Sequence, residues 1–246
     1  MKRLCSALAL FALALPARAA NDAPPAPAVT ITLSSRQATA TPNRAGFTHT
    51  GAGNIDVQQP TPDAVVITMT GVAVAGGHPC QDSVAALTFD LLQDFEVTFA
   101  GKDVKKAKLT LEARVIGLLR SHAKGGGAAS ITCPAEAVVA PCGVPGAPAL
   151  VAVALPGRSV AAGENLSVND REGPVGVPVA AGKYTLHQRF GAQASHPRKL
   201  CGKAASAEFA PDPALDPLWI SAFEPFHGAA KKDFGFQVIV RVAADQ

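Results

Sequence analysis

The sequence has little with which to do chemistry. It holds one Trp and one Tyr, so recognition that stacks sugar rings or bases on exposed aromatic faces has few platforms to use. It contains no Gly-x-Ser-x-Gly nucleophile elbow, no Gly-x-x-x-x-Gly-Lys-Ser/Thr phosphate loop and no His-Glu-x-x-His helix. The Cys-x-x-Cys spacing of thioredoxin-like redox sites is missing as well. Beyond the N-terminus no apolar stretch approaches the ~20 residues that a membrane-spanning helix needs, and no run of ~10 residues repeats with helical period. Net charge is also confined: the formal +3 equals the contribution of Lys2, Arg3 and Arg18. The rest of the chain is balanced, which argues against a general nucleic-acid binder. "GKDVKKAK" and "HPRKL" then read as solvated strand ends or loops.

What is present begins with a targeting signal. "MKR" is a basic start, "LCSALALFALAL" an apolar core and "PARA" a small-residue end, so residues 1–19 are expected to be a signal peptide cleaved after Ala19. The expectation is an exported protein, periplasmic or extracellular, with no membrane span. Cys5 leaves with the signal. Residues 20–28, "ANDAPPAPA", are Pro-rich and read as an extended, poorly ordered lead-in.

From Val29 onward the dominant period is two. Val29, Ile31 and Leu33 alternate with polar residues, as do Val65, Ile67 and Met69. In "LTFDLLQDFEVTF", Leu87, Phe89, Leu91, Phe95, Val97 and Phe99 share one parity, while Asp90, Asp94 and Glu96 share the other. "KLTLEARVIGLL" repeats the rule with Leu109, Leu111, Ala113 and Val115 inward. The short Gly and Asp segment "AGKDVKK" between these two runs predicts a long antiparallel hairpin. Later strands are expected at Val151–Leu155, at Val175–Val179, where Pro174 and Pro178 demote the strand to an edge, and at "DFGFQVIVRV", with Phe234, Phe236, Val238, Val240 and Val242 inward. The chain thus divides into an N-terminal β half (29–120), a Gly/Pro/Cys-rich connection (121–148) and a C-terminal β half (149–246). The halves either close one continuous sandwich or stand as two domains, and "DFGFQVIVRV" could pair with an N-terminal strand. The fold class predicted is all-β, an antiparallel β-sandwich.

The stretch "AGKYTL" resembles the Gly-x-Tyr strand start of secreted transthyretin-like and immunoglobulin-like sandwiches. Six residues carry the resemblance. It implies the general architecture and no activity.

Four cysteines follow the signal: Cys80, Cys133, Cys142 and Cys201. An even number in an oxidising compartment reads as disulfides. The pairing expected first is Cys133 with Cys142, which leaves Cys80 with Cys201 to tie the first half to the second at ~4–5 kcal/mol by the chain-entropy argument. Soft thiolates and imidazoles would also suit zinc or copper, and the alternative ligand set is His78, Cys80, His196 and Cys201, with Cys133 and Cys142 in the wider pool. The spacing lacks the tight cysteine pair of many structural zinc sites, so no cofactor is assigned. "GHPC" reads as a turn in which His78 is a partly exposed loop residue.

General acid–base chemistry would have to be assembled from distant strands. The histidines to inspect are His187, His196 and His227, and the carboxylates Asp170, Glu172 and Glu224. "NDREGP" reads as a hydrated turn rather than a calcium loop. No catalytic residue is assigned. The functional expectation is an exported, disulfide-stabilised sandwich with a binding or structural role toward an unknown protein or small ligand, engaged through loops 76–83, 121–148 or 191–217. The alternative is a hydrolase or metal-dependent enzyme on the same scaffold.

Overall fold

The period-two alternation is met by strands. A computed structural model describes residues 28–45, 48–50, 53–71, 73–76, 82–100, 104–121, 127–144, 146–161, 163–196, 206–210 and 235–245. They contain fourteen strands and no helix, and hence no helix long and apolar enough to cross a membrane.

The strands form two antiparallel sheets packed face to face. The first joins β1 (Val29–Ala45), β6 (Ser83–Phe99), β12 (Gly182–His196) and β8 (Ala128–Pro141), in that order. Strands β9 (Val151–Leu155) and β10 (Ser159–Val160) both pair with β8. The second runs β2 (Thr48–Thr50), β5 (Ala73–Gly76), β13 (Ser206–Ala210), β7 (Ala107–Ser121), β14 (Gly235–Ala244), β4 (Ala64–Thr70) and β3 (Asn54–Thr61). Strand β11 (Asn165–Val179) lies on the opposite side of β7 and pairs with no other described strand, so Pro174 and Pro178 do sit on an edge.

The apolar parity of each run faces the space between the sheets. Leu87, Phe89, Leu91 and Val97 of β6 in the first sheet, and Leu109, Leu111, Ala113 and Val115 of β7 in the second, are all at most 1% exposed. Phe190 of β12 stacks on Phe89 within its own sheet (centroids 5.9 Å apart) and on Phe236 of β14 in the facing sheet (5.7 Å), so the ring column bridges the two layers. Gly71 leaves room for this packing: a Cβ there would fall 2.1 Å from Leu87 Cδ2.

Three expectations need correction. Strands β6 and β7 are not a hairpin: β6 pairs with β1 and β12, and β7 with β11, β13 and β14. Alternation fixes which face of a strand is buried but not which strand lies beside it. The two strands lie in different sheets, and each buries its apolar face in the shared core without the two being neighbours. Second, the connection 121–148 holds a full strand, β8, which pairs with β12 over much of its length. Third, "NDREGP" is part of β11 and shifts register between Glu172 and Val175 rather than turning. Both sheets draw strands from both halves of the chain, and β14 lies between β7 and β4 of the N-terminal half.

Tyr184 in "AGKYTL" donates its phenolic hydrogen to the carbonyl of Ala180 at 2.8 Å and stacks on Phe95 at 5.7 Å. This bond ties the start of β12 to the backbone four residues upstream. Burial raises its phenol pKa, opposed by the bond to Ala180.

Candidate functional site

The segments named above as ligand-facing loops are shorter than expected, because β8, β12 and β13 run through 121–148 and 191–217. The strand ends that bracket what is left converge. His196 ends β12 directly opposite Ser83, the first residue of β6. Ser195 faces Ala128, the first residue of β8, while Ala207 of β13 faces both Ser121 and Ala75. The ends of β5, β6, β7, β8, β12 and β13 therefore meet at one end of the sandwich.

Two polar side chains are sealed inside that end. Ser83 is fully buried and His196 is 3% exposed. Among the described residues neither the Ser83 hydroxyl nor either ring nitrogen of His196 has a hydrogen-bond partner. An unsatisfied buried group costs ~1–3 kcal/mol, so an imidazole and a hydroxyl on adjacent strands have a strong demand for a guest that donates and accepts. Ser121 at the same end is satisfied, donating to the carbonyl of Gly127 at 2.5 Å. The parity of β12 carries His196 inward together with Leu186, Phe190, Ala192 and Ala194, so the strand pattern, read two residues further, signals its burial. Gln188 shares that face, and its buried amide also has no protein partner.

The second cluster lies on the outer face of the first sheet. His187 Nε2 is 2.9 Å from Asp90 Oδ1 and 3.1 Å from Arg189 Nε, with Arg189 reaching Glu136 at 3.5 Å. A single ring nitrogen cannot both donate to the carboxylate and accept from the guanidinium, so these are alternative tautomers. With Nε2 protonated, Asp90 takes the hydrogen bond and Arg189 turns to the carboxylates. The cluster sits on an open sheet face: His187 is 30% and Asp90 43% exposed.

One step along the same face, Asp94 accepts from Ser35 Oγ and from Thr185 Oγ1, the latter at 2.6 Å. The Ser35 bond, then the Thr185 bond, hold its carboxyl below the usual range against partial burial, and the Cys142 thiol adds to the effect. Gln93, inward and buried, bonds the carbonyls of Ser35 and Asp94 where β1 shifts register. Its parity with Leu91 and Phe95 was the signal for this position.

The other sequence candidates separate. Asp170 forms a two-pronged pair with Arg158 (2.8 and 3.0 Å) on the edge of the second sheet, Arg171 pairs with Glu112 at 2.8 Å, and Glu172 is exposed beside them. They lie on or beside the second sheet, whereas His187 and His196 lie on β12 of the first. His227 and Glu224 lie outside the described residues, as do His78, Cys80 and Cys201. The Cys133–Cys142 pairing is overturned: Cys142 is a free thiol, and the strand from Cys133 to Pro141 spans about 25 Å at the usual rise, whereas a disulfide needs Cα atoms ~4.4–6.8 Å apart. The Pro and Ala content of "CPAEAVVAP" suggested a loop, but its Ala and Val residues alternate as a strand covered by β12. Among the described residues no group of three or more His, Cys, Asp and Glu side chains could hold a metal ion.

Comparison with protein-family models, curated proteins and solved structures returns no match.

Proposed function

We propose that this protein is an exported, disulfide-stabilised β-sandwich that works as a binding module, taking a small-molecule or protein partner at the end where Ser83 and His196 face inward. The observation that carries this reading is the buried His196–Ser83 pair, without hydrogen-bond partners among the described residues, at the junction of six strand ends. A largely apolar enclosure with a few convergent polar groups is what a ligand site requires. The disulfide proposed is Cys80–Cys201. Cys80 precedes Ser83 by three positions and Cys201 follows His196 by five, and such lengths reach ~10 and ~17 Å, so adjacent strand ends allow the bridge.

The enzyme reading rests on the His187–Asp90 contact. The hydrogen bonds of His187 run to Asp90 and Arg189, neither of which carries a hydroxyl or thiol for a general base to deprotonate, and the open face offers no exclusion of water. That arrangement suits a solvated cross-strand network better than a general base.

The test is a thermal-shift screen of metal ions and small molecules on the mature protein and on His196→Ala. A ligand at a hundred times its Kd adds ~2.7 kcal/mol, which raises Tm by about 5–10 °C in a chain of this size. Hits that stabilise the wild type and not the variant support the reading. Hits that stabilise both equally place binding elsewhere.

A further inference from the structure

Two glutamines stand on the inner faces of neighbouring strands in the first sheet, and they are treated differently. Gln93 of β6 is 3% exposed and Gln188 of β12 is fully buried. In the β6–β12 register Gln188 lies opposite Leu91, and Gln93 lies opposite Leu186, so the two residues are diagonal neighbours. Gln93 Nε2 donates to the carbonyls of Ser35 at 3.2 Å and Asp94 at 2.8 Å. Gln188 has no such outlet: among the described residues neither its Oε1 nor its Nε2 has a hydrogen-bond partner. A carboxamide offers two donors and two acceptor sites, and burying it unmet costs free energy at both ends.

The surroundings of Gln188 are built by described strands. Leu91 lies beside it on β6 and Ala137 beside it on β8, while Leu186 and Phe190 precede and follow it on the same face of β12. All four are at most 1% exposed, and none carries a polar side-chain group. Above this ring Phe190 stacks on Phe236 of the second sheet at 5.7 Å. The enclosure is closed, but its β8 side is short: Ala135 and Ala137 stand there, where Ile131 and Val139 farther along the same face are branched. The ladder is also interrupted, starting one residue beyond Gln188. Between the Arg189–Glu136 and Gly191–Cys133 pairs β8 takes three steps where β12 takes two, and Pro134 inside that bulge has no N–H to give. Such bulges leave backbone groups outside the ladder.

We propose that the Gln188 amide and the short side chains of Ala135 and Ala137 form an internal polar site, closed to bulk solvent, that holds ordered water between the sheets. Water fits the enclosure because it is small, and because it both donates and accepts as the amide requires. A buried water takes two or more polar partners, and here the carboxamide and the backbone of the bulge supply them. The site is separate from the one proposed at the strand ends: Gln188 precedes His196 by eight residues on β12, about 26 Å along an extended strand.

Magnetic relaxation dispersion of water oxygen, recorded on the full-length mature protein, counts water molecules held for longer than the tumbling time and so reads the site directly. The expected result is that Gln188→Leu lowers the long-lived signal by at least one water. Gln93→Leu removes an amide already bonded to protein carbonyls and leaves the signal unchanged. An unchanged signal in Gln188→Leu, or an equal loss in Gln93→Leu, overturns the proposal. Where Gln188→Leu fails to fold, a crystal structure of the wild type decides. A water oxygen within ~3.2 Å of Gln188 Oε1 or Nε2 supports the proposal. An amide bonded wholly to protein groups, one that meets only carbon atoms, or one holding an organic molecule in place of water refutes it.

Discussion

Replacing Phe190 with Ala tests whether the ring column ties the two sheets together. Phe190 is 1% exposed and lies between Phe89 at 5.9 Å and Phe236 at 5.7 Å. A buried Phe removes ~150–250 Å² from water, which at ~25 cal/mol per Å² is about 4–6 kcal/mol as an upper estimate. The retained Cβ lowers the figure, the loss of two stacked contacts raises it, and large-to-small core substitutions of Phe cost about 3–5 kcal/mol. The expected loss is about 4 kcal/mol, or roughly 8–16 °C in Tm. Phe190→Leu keeps most of the volume and costs less than ~1.5 kcal/mol. Urea unfolding followed by circular dichroism supplies the free energies, and a double-mutant cycle with Phe236→Leu isolates the contact between sheets at about 0.5–1.5 kcal/mol. A loss below ~1 kcal/mol for Phe190→Ala, or zero coupling to Phe236, would refute the argument that this column joins the layers.

The remaining expectations concern single groups. The Asp94 carboxyl is held below its ordinary value, first by Ser35 and then by Thr185, so its stabilisation is complete above the unfolded-state pKa of ~3.9 and is lost as pH falls through the folded value. Acid unfolding of Asp94→Asn should be less steep than that of the wild type below about pH 4, and identical profiles would remove Asp94 from the account. Gly235→Ala combines a positive φ with the close Met69 oxygen and should cost well over ~1 kcal/mol, whereas Gly143→Ala, at φ +74 with open space around it, should cost no more than ~1–2; chemical denaturation of both ranks them. Tyr184→Phe loses the bond to Ala180 but keeps the stack on Phe95, so a drop of ~0.5–1.5 kcal/mol is expected in the same assay.

The all-β class and most buried faces were legible because parity is a local property: Val65, Ile67 and Met69, the β6 and β7 runs, and Phe236 to Val242 all turn inward as their alternation requires. Pairing was not legible in the same way. The segment between β6 and β7 reads as a hairpin turn, yet it carries the chain from one sheet to the other, a choice made by the competition of all strands for partners. Likewise "CPAEAVVAP" looked like a cysteine-bracketed loop because proline and alanine are weak strand formers, and its place beside β12 is a tertiary effect. The end site was half visible. His196 is a candidate for its chemistry, and the alternation of β12 extended to residue 196 signals its burial, but its place opposite Ser83 follows only from the β6–β12 register. His187 alternates with the buried Leu186 and Gln188 and lies on the outer face, while its partner Asp90 is ninety-seven positions away and is brought to it only by the β6–β12 register.

The place of β14 has a consequence in time. This strand, last in sequence among those described, is central in its sheet, with β7 on one side and β4 on the other. A chain emerging from its N-terminus has made both neighbours long before residues 235–244 arrive, and until then each presents an unpaired, strongly apolar edge. Such edges recruit strands from other molecules, and pairings this distant in sequence form slowly. The nascent chain is therefore most exposed to misassembly in the interval before its final strand is inserted, and a holding chaperone that masks β4 and β7 would raise the yield of folded protein more than one that accelerates any local step.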